Sequence, residues 1–261
     1  MAQETTAWES IEIELLSQGR LARLSLAGGR GNVIDSAMTR ELRAATANLV
    51  GETSLRAILL DHTGDDFSYG ASVEEHRPEQ VAPMLAGLHA LAVELWELEV
   101  PLLVCVRGRC LGGGLELAAL GDRIFAAPGA TFAQPEVVLG VFAPLGSLLL
   151  EPLVGAVHAA DLLLSGRAVD AAEARTMGLV AEVADDPRQA AQAWAEAHLA
   201  PRSASSLRHA TGALRRERRR RLEAGLADLE HRYLDELMET RDAVEGIEAF
   251  LAKRPAVWED R

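Results

Sequence analysis

The chain has 261 residues, which fits one large domain or a core with an appendage and allows roughly three quarters of the unfolded surface to be buried. Hydrophobic residues make up 49% of it and aromatics only 4%, so it is a globular chain packed with aliphatic side chains and not a disordered one. A formal net charge of -13 argues against nucleic acid as a general partner.

In chain order, "MAQETTAWES" lacks a basic start and an apolar stretch, so no secretory signal is expected and a cytoplasmic protein follows. "ESIEIELLSQGRLARLSL" alternates apolar and polar residues on both sides of "SQG", which predicts a hairpin. "SAMTRELRAATANLV" has helical spacing, with Asp35 or Ser36 as its cap and Gly51 just beyond its end. "LRAILLDH" reads as a buried strand and "TGDDFSYGAS" as the turn-rich loop after it. A long helix is expected through "PEQVAPMLAGLHALAVELWELE", despite Pro83, and a second buried strand at "VPLLVCVRG". A turn through "RGRCLGGG" leads to a helix starting near Leu115. "DRIFAAPGATFAQPE" adds two short strands and "LVAEVA" another. The order of strands and helices predicts an α/β stack with its active groups in loops at strand ends.

From about Pro201 the composition turns to long charged helices, which places a boundary near residue 200. The run "RRERRRR" is followed by acidic "EAGLADLEHRYLDEL", so opposite charges three or four residues apart predict an exposed or subunit-facing helix, not a nucleic-acid site. The longest apolar runs, "VPLLVCV" and "LGSLLLEPLVGAV", read as too short or too interrupted to span a bilayer. Cys105 and Cys110 lack further Cys or His at zinc-site spacing and are expected to be buried small hydrophobes; "EEH", with His76, does not make a metal site either.

The glycines of "CLGGGLELAAL" stand where a strand gives way to a helix, where unpaired backbone N–H groups favour negative charge. A dinucleotide fingerprint fails because Leu117 occupies the place of its third glycine, and no phosphate-binding G-x-x-x-x-G-K-[ST] is present. The alternative is a carbonyl oxygen that becomes an enolate, which needs two converging N–H donors. Gly113 supplies one, and Ala71 after Gly70 in "FSYGAS" the other. Glu116 and Glu136 are then the candidate acid/base pair, since two carboxylates held close cannot both ionise easily. Which of them is the acid stays open at this stage.

"GGGLELAALGDRIFAAPGATFAQPEVVLG", with "GNVIDSAMTREL" before it and "EGIEAFLAKRPAVW" after it, resembles the enoyl-CoA hydratase/isomerase (crotonase) family over essentially the whole chain. The resemblance implies a crotonase-like spiral of ββα turns over residues 1–200. It implies a C-terminal helical part, residues 201–261, that builds a homotrimer or a dimer of trimers. It also implies oxyanion amides at Ala71 and Gly113, hydratase glutamates at Glu116 and Glu136, and coenzyme A contacts at Arg30, Gly31 and Asn32, with Phe250 and Lys253 serving a neighbouring subunit. The implied substrate is an acyl-CoA thioester, with no metal and no cofactor apart from the coenzyme A of the substrate itself.

Departures from the family pattern fall around the acyl group. Ser72 stands where most members have Asp, "SVEEH" lacks a lysine common in straight-chain hydratases, and "VFAPLGSLL" replaces the usual glycine-rich stretch. "FSYGASVEEH" with "QPEVVLGVFAP" is more similar to the cyclohexa-1,5-diene-1-carbonyl-CoA hydratases of anaerobic aromatic breakdown, which implies hydration of a cyclic dienoyl-CoA. The other readings are an enoyl-CoA hydratase or isomerase acting on another acyl-CoA, and a catalytically silent assembly subunit. Isomerases of the family commonly keep only one carboxylate here, and a silent member would be expected to have lost a glutamate or glycine.

Overall fold

A computed structural model describes residues 8–261. The reading of "MAQETTAWES" as free of a signal falls largely on residues 1–7, outside the described part.

Alternating apolar residues in β1 (Ile11–Leu16) and β2 (Leu21–Leu26) pair antiparallel across a turn whose Ser17, Gln18 and Gly19 all have positive φ. α1 (Ser36–Leu49) starts where Asp35 accepts the N–H of Met38 at 2.8 Å, the capping bond its sequence predicts. β3 (Ala57–His62) and β4 (Leu102–Val106) are buried throughout and apolar on both faces up to Asp61 and His62 at the end of β3, as expected of inner parallel strands. α2 (Val81–Glu97) lies between them and takes Pro83 into its first turn, where no intrahelical N–H is lost.

These strands join β6 (Arg123–Ala126) and β9 (Glu182–Val183) in a six-stranded sheet of order β1-β2-β3-β4-β6-β9, parallel from β2 onward. The two-residue period of the strands splits the core between its faces. Ile58, Leu60, Leu102 and Val104 face the main core, whereas Leu59, Leu103, Cys105 and Phe125 face α6 (Pro187–His198) through Ala191 and Ala195. Cys105 and Cys110 are both buried and free, and burial pushes both thiols far above their ordinary range.

The segment Arg109–Leu111, expected as a turn, is a third short strand, β5. It pairs parallel with β7 (Thr131–Ala133), which pairs antiparallel with β8 (Ala168–Asp170), making a second, three-stranded sheet. Three residues flanked by Gly108 and Gly112 carry no strand periodicity; the partner strand fixes their conformation. α3 (Gly113–Ala119) begins two residues earlier than expected, because Gly112 acts as its cap. α5 (Ala171–Met177) follows β8.

α4 (Pro144–Ser165, 22 residues) is, by length and composition, long and apolar enough to cross a membrane, against the expectation that the apolar stretches are too short or too interrupted. It is not one continuous rod: Gly155 leaves helical geometry at φ 78 and ψ 160, three residues after Pro152. It packs on α3 and on α7 (Ala204–His231).

α7 also lies on α2 and delivers Leu222 and Leu226 to the main core. The run at residues 215–221 is only in part the exposed helix expected. Arg219 pairs with Glu223 one turn on at 2.7 Å, but Arg215 is buried, paired with Asp122 at 2.5 Å and bonded to the carbonyl of Val100. A π-helical turn (Arg232–Glu236) then carries the chain to α8 (Arg241–Leu251).

Candidate active site

The second sheet fixes the site because its segments end at one level. β5 and β7 run in parallel register from Arg109↔Thr131 to Leu111↔Ala133, and the loop after β3 joins beside β5 through a parallel bridge between Ser68 and Cys110. The chain therefore leaves three neighbouring extended segments together, at Gly70–Ala71, Gly112–Gly113 and Gln134–Glu136. In open α/β sheets such carboxyl ends are where ligands are held.

The N–H groups flanking Ala71 are occupied: Ser72 donates to the Ile34 carbonyl at 3.0 Å and Gly70 to the Ser68 hydroxyl. Ala71's own N–H has no acceptor among the described residues. Gly113 is the first residue of α3, so its N–H has no intrahelical acceptor and finds none elsewhere among the described residues. The two amides are close neighbours: a Cβ on Gly113 would lie 3.0 Å from the Ala71 nitrogen. Two free donors side by side at a helix start form a receptor for one anionic oxygen.

Glu116 stands one turn into α3 and is buried. Its Oε1 accepts the Gly146 N–H at 2.7 Å, and Leu145 adds a second backbone bond, so the carboxylate sits on the N-terminus of α4. Burial nevertheless pushes its pKa up to about 7. Glu136, in the short turn Pro135–Leu139, is bonded to its own backbone N–H and to the Gln134 amide at 3.2 Å, and its Oε2 is buried without a partner among the described residues. Burial, and then the charge of Glu116 facing it, push Glu136 up to about 8. Gly112 makes room for this carboxylate: its φ is +51, and a Cβ there would come within 2.7 Å of Glu136 Oε1.

Both amides and both carboxyls line one cavity. Met84 and Leu85 from α2 and Val141 and Phe142 from the segment before α4 give it an apolar wall, beside Tyr69, His76 and Tyr233. The arrangement can hold a thioester oxygen on two N–H donors while one carboxylate takes a proton and a second carboxyl gives one.

A family model described as enoyl-CoA hydratase/isomerase matches residues 21–261. The chain belongs to the enoyl-CoA hydratase/isomerase family. A relative from Thauera aromatica, a cyclohexa-1,5-dienecarbonyl-CoA hydratase, is 50% identical over 251 residues, covering 96% of this chain and 97% of its own. A probable enoyl-CoA hydratase from Rhizobium meliloti (strain 1021) is 34% identical over 98% of this chain and 100% of its own. In structure, this enoyl-CoA hydratase/isomerase superposes on an enoyl-CoA hydratase from Mycobacterium avium subsp. paratuberculosis K-10 with a TM-score of 0.84, at 21% identity over 97% of this chain and 100% of that one, which shows the shared crotonase fold.

Of the residues singled out from the sequence of this hydratase/isomerase, Ala71, Gly113, Glu116 and Glu136 come together in the cavity. The coenzyme A set does not. Arg30 is exposed, and Gly31 packs under the ring of Tyr69 at the cavity edge. Asn32 is fully buried, and its amide nitrogen is committed to the carbonyls of Thr63 and Asp66, both at 3.0 Å, so it ties the loop and does not present a polar group outward. Phe250 and Lys253 lie exposed at the end of α8 and do not line the cavity.

Four participants were not assigned from sequence. Leu145 and Gly146 hold Glu116 through backbone groups, which leave no mark on residue type; Gln134 stands in the quoted "AQPE" beside its partner. Tyr233 reaches the cavity from within a charged helical run. His76 also lines the cavity; it is bonded through Nδ1 to the Ser72 carbonyl at 2.7 Å, and burial holds its pKa below the ordinary range.

Proposed function

We propose that this chain hydrates cyclohexa-1,5-diene-1-carbonyl-CoA to 6-hydroxycyclohex-1-ene-1-carbonyl-CoA, with Ala71 and Gly113 as the oxyanion donors and Glu116 and Glu136 as the acid/base pair. The observation that carries the reading is the pairing of two free, converging amides with two buried carboxyls in one cavity with an apolar wall. The relative acting on this diene, at 50% identity over nearly the whole chain, supports the ring as the acyl group. So does a wall of Met84, Leu85, Val141 and Phe142, which offers a flat hydrocarbon ring contact without a competing charge.

Water adds to the β-carbon of the thioester, and the displaced π electrons move to the thioester oxygen, giving a dienolate held by the two amides. Glu116 takes the proton of that water, because two backbone donors at the start of α4 favour its charged form. Glu136, whose second oxygen lacks a partner and whose charge Glu116 opposes, is the proton donor. It delivers its proton to the far end of the dienolate; the electrons return, the carbonyl re-forms and one ring double bond remains. Exchange with solvent restores both carboxyls. The scheme needs no cofactor beyond the coenzyme A carried by the substrate, and a cytoplasmic enzyme is part of this proposal.

Coenzyme A contacts at Arg30, Gly31, Phe250 and Lys253 belong to this proposal, the last two toward a neighbouring subunit of a trimer or a dimer of trimers. Exposed apolar residues on the helical side, Val157 at 80% and Leu164 at 75%, support such an assembly.

The base must be ionised and the acid protonated, so kcat/KM against pH should form a bell, falling below about 7 as Glu116 gains a proton and above about 8 as Glu136 loses one. A profile flat from pH 5 to 9 would remove the pair from the mechanism. The substrate is tested by offering the pure protein crotonyl-CoA and the cyclic dienoyl-CoA and following loss of the conjugated absorbance. Turnover of the diene is expected; turnover of crotonyl-CoA alone would overturn the ring assignment, and none with either ester would favour a silent subunit.

A further inference from the structure

Tyr233 has no part in the scheme above, yet it is built into the cavity. It sits on the π-helical turn after α7, its side chain is 1% exposed, and its ring packs on Phe142 with centroids 5.3 Å apart. Its hydroxyl is buried with no hydrogen-bond partner among the described residues, and Glu136 Oε2, in the same cavity, is also unpartnered. Buried polar groups in folded proteins are nearly always paired, so two orphans on one cavity wall point to a ligand atom that completes both. Burial, and the charges of Glu136 and Glu116 facing the ring, push the phenol far above its ordinary range. Tyr233 is therefore a fixed donor and requires an acceptor.

The acyl ring of the proposed substrate carries no heteroatom, and the thioester oxygen is taken by Ala71 and Gly113. The acceptor that remains is the oxygen of the water to be added, which becomes the hydroxyl of the product. We propose that Tyr233 recognises this oxygen, donating its O–H to the water in the hydration direction and to the departing hydroxyl in the reverse one. No electrons or protons are transferred by Tyr233; it fixes the oxygen between its own donor and the carboxylates. This inference rests on the hydratase reading.

The test uses the full chain with Tyr233→Phe, which keeps the ring against Phe142 and removes only the hydroxyl. Steady-state hydration is measured together with calorimetric affinity for two esters, 6-hydroxycyclohex-1-ene-1-carbonyl-CoA and cyclohex-1-ene-1-carbonyl-CoA, which differ by the hydroxyl alone. The variant is expected to lose on the order of tenfold in kcat and in affinity for the hydroxylated ester, with affinity for the other ester unchanged. Equal losses on both esters would mean a packing role, and no loss on either would mean no role; each overturns the proposal. If the wild type turns over crotonyl-CoA and not the diene, the ring assignment fails on its own, and the same comparison is made with 3-hydroxybutyryl-CoA and butyryl-CoA. If it turns over neither, the inference falls with the function.

Discussion

Glu116→Gln and Glu136→Gln should each lower kcat for hydration by about two to four orders of magnitude, the usual cost of losing a positioned acid or base, with affinity for the CoA ester retained. The substitutions suit the site. Glu116→Gln keeps a side-chain carbonyl oxygen for the Gly146 N–H, now 2.7 Å from Glu116 Oε1, and Glu136→Gln keeps the shape that Gly112 accommodates. What each variant loses is the proton. Turnover of either variant near the wild-type rate would remove that glutamate from the mechanism.

A second readout separates loss of chemistry from loss of structure. Both carboxyls lie above the ordinary value of 4.5 when folded, so the native state binds more protons than the unfolded one between pH 4.5 and about 8. Their contribution is fully present below 4.5 and is lost as pH rises through the folded values. The thermal stability of the wild type should therefore fall across that window relative to either glutamine variant, each of which has one fewer charge to bury. The gap in Tm between variant and wild type should be larger at pH 9 than at pH 5.

How far the residues alone reveal this site depends on what each part is made of. Strands β3 and β4 were legible because a run buried on both faces has few alternatives, β2 because it alternates apolar and polar residues after a turn, and α1 because Asp35 is a side-chain cap. β5 was not, because Arg109–Leu111 has no periodicity of its own and takes its conformation from β7. The same distinction holds inside the cavity. Ala71, Gly113 and the two glutamates stand in spacing that local chemistry and family resemblance both mark, and they converge. The support for Glu116 comes from backbone N–H groups, thirty positions on, that any sequence would carry. Tyr233 lies 97 residues past Glu136, and only the packing of α7 against α2 and α4 brings it to the same wall. Asn32 and Arg215 are the reverse case: polar residues whose types invite a surface or ligand role, drawn inside to satisfy carbonyls and a carboxylate.

Gly113→Ala should lower kcat/KM by about a hundredfold or more, the cost of losing one oxyanion donor, while the protein stays folded. Gly113 opens α3 and is not among the glycines with positive φ, so its backbone accepts alanine, which favours a helix by up to about 1 kcal/mol over glycine. The obstacle is space. The new Cβ would lie 3.0 Å from the nitrogen of Ala71 and 3.2 Å from its Cβ, so the two amides would have to separate by a few tenths of an ångström. Preorganised donors are effective because they are aimed at the oxygen before charge develops, and a shift of that size at both spoils the aim. Gly129→Ala is the matched control, since a Cβ there meets nothing within 4 Å, and it should leave kcat/KM unchanged. A Gly113→Ala protein with wild-type kcat/KM would show that the thioester oxygen is not held between these two amides.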